Sequence, residues 1–106
     1  MLPLEFPFER DRFRHELIGR TGQVYLVERT SLATGSRHWE VVIVLRCRSH
    51  VLAGVAYPAR EGYPTTKQWG RYGWTFTERS QAERKMAELA LTYSRAAPQR
   101  AEARVG

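Results

Sequence analysis

The stretch Arg37–Arg48, RHWEVVIVLRCR, decides the fold. Side chains of a strand alternate between its two faces. Trp39, Val41, Ile43, Leu45 and Cys47 therefore share one side, and His38, Glu40, Val42, Val44, Arg46 and Arg48 the other. The first set is the core face. Val42 and Val44 predict that the middle of the second face is covered as well.

Working outward, Gln23–Ser31 is rich in valine, tyrosine and threonine and reads as a partner strand. Ala33-Thr34-Gly35-Ser36 supplies the turn between them, with Gly35 able to take positive φ. Val51–Tyr57 reads as a third strand weakened by Gly54, and Tyr72, Trp74 and Phe76 alternate in a fourth. Ser80-Gln81-Ala82-Glu83 has the form of a capping box. Beyond it Ala82, Met86, Leu89, Ala90 and Tyr93 fall on one helical face. Pro98 ends that helix, and residues 98–106 have too little apolar surface to pack, so a frayed tail is expected. In residues 1–20, Phe13, Leu17 and Ile18 suit one face of a short helix, and a strand or an extended arm fits the same residues nearly as well. The expected fold is α+β: residues 1–97 form one basic domain, a three- to four-stranded antiparallel sheet with the C-terminal amphipathic helix across one face.

Bulk properties narrow the function. A chain of 106 residues makes one domain with a thin core. No apolar run approaches the ~20 residues of a membrane helix. Acids and arginines stand where an export signal would be apolar, and the single cysteine, Cys47, has no internal partner. These features point to a reducing cytoplasm. Net charge is +6, and fifteen of the seventeen cations are arginine, whose planar fork binds phosphate and stacks on rings. Polyanions are the natural partners of such a chain.

Catalytic and metal chemistry find little purchase. Cys47-Arg-Ser-His50 has two-ligand spacing, which His15 and His38 would have to complete, but alternation sends Cys47 to the core. Asp11 is the only aspartate, so a carboxylate-held metal for nuclease chemistry has few ligands; Glu28 and Glu40 are candidate neighbours on paired strands. His38, His50, Arg46 and Tyr57 supply the residue types of a small metal-free ribonuclease or toxin without a spacing that demands one. No metal, cofactor or catalytic residue is assigned.

The segment Tyr57–Phe76, YPAREGYPTTKQWGRYGWTF, holds six of the twelve Phe, Tyr and Trp residues. Rings beside cations are how sequence-tolerant binders of single strands work. Trp69, Arg71, Tyr63, Lys67 and Tyr72, with Arg46 and Arg48 from the central strand, form the candidate binding set, while Trp39, Trp74 and Phe76 are assigned to the core. Trp69-Gly70-Arg71-Tyr72-Gly73, after strands containing Tyr25-Leu26-Val27 and Trp39-Glu40-Val41, resembles the WGR domain of poly(ADP-ribose) polymerase-type proteins. That resemblance implies contact with DNA ends through Trp69 and Arg71. Over Tyr63–Ala90, the pattern Y-P-x-x-x-x-W-G-x-x-G-W-T-F followed by a helix is similar to small uncharacterised proteins of phages and plasmids. It implies an accessory role in a mobile element. The expectation is a non-enzymatic binding protein acting on nucleic acid or a nucleoprotein machine, for instance as an anti-CRISPR-like inhibitor of host defence. A small basic ribonuclease and a protein-interaction module, including a homodimer, are the alternatives.

Overall fold

The computed structural model describes residues 2–93 and 102–103. Its elements run β1 (Phe8–Arg10), β2 (Phe13–Thr21), β3 (Val24–Ser31), β4 (Arg37–Ile43), β5 (Leu45–Cys47), β6 (His50–Leu52), β7 (Val55–Tyr57) and β8 (Arg60–Gly62). A 3₁₀ turn (Thr66–Gln68), β9 (Gly73–Phe76), α1 (Arg79–Tyr93) and β10 (Glu102–Ala103) complete the order. Strands β1, β2, β3, β4 and β9 lie side by side in one antiparallel sheet. Strands β5 and β8 pair antiparallel beside the parallel β10, and β6 with β7 forms a separate hairpin.

The sheet has a core on each side. Val24, Leu26, Val41, Ile43 and Leu45 face the helix, where Ala82 and Leu89 are buried and Trp39, Trp74, Phe76, Met86 and Tyr93 close the edges. The helix lies across β3, β4 and β9. On the other face Tyr25, Val27, Val42 and Val44 are covered by Leu4 and Phe6 of the N-terminal arm and by Tyr63 and Trp69. The arm is tied down by main-chain bonds from Leu2 N to Ala59 O and from Glu61 N to Leu2 O, both 2.8 Å. Glu61 Oε1 also accepts from Leu4 N at 2.9 Å. The alternation of residues 39–45 thus places every side chain on the face expected of it.

Four expectations need correction. The main sheet has five strands rather than three or four, because the N-terminal region takes its strand alternative, not the helical one, and adds β1 and β2. A strand there satisfies its main chain along β3 and buries His15, which a helix presenting Phe13, Leu17 and Ile18 would not. The Val51–Tyr57 strand is a hairpin, folded at Ala53 and Gly54, both at positive φ (52° and 77°) as a two-residue turn requires. The Arg37–Arg48 run breaks after Ile43, and β5 joins a different sheet. The helix starts at Arg79, so Ser80 stands inside its first turn rather than at the cap. Gln68 does the equivalent work at the 3₁₀ turn, its Oε1 accepting from Thr65 N at 2.8 Å. Of the tail expected to fray, only Glu102 and Ala103 are described, paired with Arg46 and Cys47. Pro98 lies outside the described residues.

Candidate binding cleft

Register builds the site. Across the sheet, Phe8 pairs with His15, His15 with Arg29 and Arg29 with His38, so these side chains stand in one row on the face opposite the helix. The next row runs Leu17, Val27, Glu40 and Thr75. The N-terminal arm and the 57–70 segment cover the apolar half of this face. The polar half is left as the floor of an open cleft of about 300 Å³.

Glu40 is its centre, with only 4% of its surface exposed. Its Oε1 accepts from the Tyr63 hydroxyl at 2.6 Å, a short charge-assisted bond. Its Oε2 lies 3.4 Å from Arg29 Nη1. His15 Nε2 is 3.6 Å from Oε1, an electrostatic neighbour beyond good hydrogen-bond reach. The imidazole stacks on Phe8, with centroids 4.5 Å apart and rings 5° from parallel. Arg29 in turn lies over the Phe13 ring at 4.2 Å. Within this tight packing His15 Nδ1 and Arg29 Nε have no hydrogen-bond partner. Both atoms are shut off from solvent by that packing.

Burial sets the protonation states. It pushes the His15 pKa below its ordinary value; the Glu40 carboxylate and the main chain of Phe13 and Phe8 pull the other way, and Arg29 adds to the drop. Burial first, and Glu40 second, hold the Tyr63 phenol far above its ordinary value, so Tyr63 is a permanent donor. The floor therefore presents one carboxylate, one guanidinium and a neutral imidazole.

Trp69 makes one wall. Its ring lies flat on Gly73, where an added Cβ would stand 2.5 Å from Cε3 and Cζ3. Its indole N–H donates to Thr75 Oγ1 at 3.0 Å. The tight loop Gly70–Gly73, closed by a 2.7 Å bond from Gly70 N to Gly73 O, sets this geometry. Arg10 and Asp11 stand at the mouth on the β1–β2 turn, whose Asp11 and Arg12 both have positive φ (53° and 70°).

The candidate set from sequence divides. Trp69 and Tyr63 line the cleft, Tyr63 as a buried post rather than an exposed platform. Lys67 and Arg71 are exposed outside its lining, the Arg71 guanidinium 5.2 Å from the Tyr72 ring, and Tyr72 itself packs on the helix side. Arg46 is on β5 and Arg48 just beyond it. The ribonuclease-type set is split: His38 is on the five-stranded sheet and Arg46 on the three-stranded one. His50 and Tyr57 stack on the separate hairpin at 5.1 Å. Glu28 pairs with Trp39, not Glu40, so the two acids face opposite sides. Cys47 is half-buried rather than a core residue. Among the described residues no three His, Cys, Asp or Glu side chains gather as a metal site.

Sequence reasoning missed Phe13, His15, Arg29 and Glu40 as one site. The available signal was Glu40, a charge set in an otherwise apolar central strand. A larger cavity, about 450 Å³, lies beyond Tyr63 along the N-terminal arm, but no comparable group of buried charged side chains converges on it. No family model, curated protein or solved structure matches the chain.

Proposed function

We propose that this chain is a small basic binding protein, not an enzyme, whose cleft holds a segment of single-stranded nucleic acid, free or within a nucleoprotein machine. The observation that carries this reading is the convergence of rings and guanidinium groups on the uncovered half of the sheet. Trp69 offers a π-face, Arg29 stacked on Phe13 stands at the floor, and Arg10 at the mouth offers a phosphate contact. The net charge of +6 draws a polyanion toward them. A non-catalytic role is supported by the engagement of Glu40 with Tyr63 and Arg29 and by the stacking of His15 on Phe8. The resemblance to phage and plasmid accessory proteins fits a protein that works by occupying a strand or its machine, as an anti-CRISPR-like inhibitor would.

The test is a salt titration of binding to labelled single- and double-stranded DNA and RNA. Single strands should win, with log K falling by about 0.7 per contacted phosphate for each unit of log salt. Arg10→Ala, at an exposed position, should weaken binding and flatten that slope without moving the melt. Absence of binding, or binding indifferent to salt, would sink the proposal.

A second reading, contact with a protein partner, is favoured by the β6–β7 hairpin. Val51, Leu52 and Val55 there are 71%, 64% and 51% exposed, an unusual cost for aliphatic side chains. Light scattering of the wild type and Leu52→Lys would show whether this hairpin mediates self-association.

A further inference from the structure

Resting on the strand-binding proposal, we infer that the cleft reads one unpaired guanine, with Glu40 accepting from the N1–H and N2–H pair on its Watson–Crick edge. A carboxylate has about four acceptor positions. Tyr63 takes one on Oε1 and Arg29 one on Oε2, and His15 Nε2 at 3.6 Å is too far to take another fully. One position is left on each oxygen. Two parallel acceptors suit a ligand with two adjacent N–H donors on one planar edge. Among the neutral bases guanine alone has that edge; adenine and cytosine offer one amino group, and uracil or thymine a single ring N–H.

The surroundings complete the match. Guanine O6 adjoins N1–H and needs a donor, and the Arg29 guanidinium, its side chain 24% exposed, stands beside Glu40. Neutral His15 leaves the floor, with its Glu40–Arg29 pair, near zero net charge, which suits a neutral base there while phosphate stays with Arg10 at the mouth. Trp69 supplies the stacking wall, and a volume of about 300 Å³ is at the small end for ligand sites, right for a base and its sugar.

The experiment is fluorescence anisotropy with labelled oligo-thymidine strands carrying one central guanine, inosine, adenine or cytosine. Inosine keeps N1–H and O6 but lacks the N2 amine. The guanine strand should bind about tenfold tighter than the adenine, cytosine and unsubstituted strands, with inosine between them, as one bidentate contact to a base edge provides. Glu40→Gln should reduce the guanine strand to the level of the others, because the amide nitrogen replaces one acceptor by a donor. Should that variant not fold, guanosine monophosphate competing better than inosine monophosphate for the wild type reads the same contact. Equal affinity for all four strands overturns the guanine inference and leaves strand binding standing. No binding to any strand overturns both.

Discussion

Gly73→Ala is the sharpest probe of how the cleft wall is built. A methyl group there would stand 2.5 Å from Trp69 Cε3 and Cζ3 and 2.9 Å from Cη2, well inside van der Waals contact. Gly73 has ordinary φ, so backbone strain is not involved; the obstacle is the indole alone. β9 is an edge strand held to β4 by its main-chain ladder, whereas the indole is a side chain, so the ring is the part that lifts. Lifting it loses the 3.0 Å bond to Thr75 and part of the cover over Val42 and Val44. Overpacking of this kind costs ~1–3 kcal/mol, which lowers Tm by about 4–12 °C in a domain of this size. Trp69→Ala alone should cost about 1.5–3 kcal/mol, less than a fully buried ring. In the Trp69→Ala background the three atoms nearest the added methyl are gone, so Gly73→Ala should become nearly neutral there. Urea denaturation of the four proteins measures that coupling, expected at ~1–2 kcal/mol. Additive effects would show that the ring does not rest on Gly73, and the wall as described would be wrong.

Four further outcomes are expected. Tyr63→Phe should destabilise by ~1.5–3 kcal/mol in urea melts, since it removes a charge-assisted bond from a buried carboxylate. Leu89→Ala should cost ~2–5 kcal/mol, while Leu91→Ala on the exposed helix face stays within ~0.5 kcal/mol, a contrast that checks which face α1 buries. His15, faced by Glu40, Arg29, Tyr63 and Phe8, has a folded pKa below its unfolded value near 6.5. The unfolded chain therefore takes up the proton first as pH falls. Its contribution to stability is lost downward from about pH 6.5 until the folded pKa is passed, and urea midpoints at pH 7.5 and 5 should converge in His15→Gln relative to wild type. Arg12→Gly should stabilise the β1–β2 turn by ~1 kcal/mol in urea melts, because a non-glycine residue at φ 70° is strained.

The part of the fold legible in sequence was the part built on clean alternation. Val41, Ile43 and Leu45 against Val42 and Val44 announced a strand buried on both faces, and Trp74 and Phe76 joined the helix-side core as read, whereas Tyr72, read as a binding residue, packs there too. The site was illegible for the same physical reason. On β2 the cleft-facing positions are Phe13, His15 and Leu17, and a polar group in the middle of that series breaks the alternation. Phe13, Leu17 and Ile18 then pass equally well for a helix face. Nor did the β1–β2 turn advertise itself, since Asp11-Arg12 lacks the Asn-Gly or Asp-Gly signature of a two-residue hairpin. A bulge between Leu17 and Gly19 finally shifts the register, so pairing cannot be counted from either end of β2. Local rules failed where function is proposed, which is where they are expected to fail.

The energetics of the second sheet face point the same way. Ion pairs withdrawn from water rarely repay their desolvation, and apolar side chains of similar volume would serve a thin core at least as well as His15, Arg29 and Glu40. The adjoining half of that face shows the alternative in use, with Tyr25, Val27, Val42 and Val44 packed under rings. Nor is the chain short of aliphatic residues with which to close the cleft, since Val51, Leu52 and Val55 stand in solvent on the β6–β7 hairpin. A sheet that keeps a charged, partly unsatisfied floor open beside a finished hydrophobic one is not optimised for folding alone. The glycine that makes room for Trp69 fits the same account: it gives up local stability to hold a ring at the rim. What these features have in common is the cleft, and a guest that supplies the missing hydrogen bonds would account for all of them.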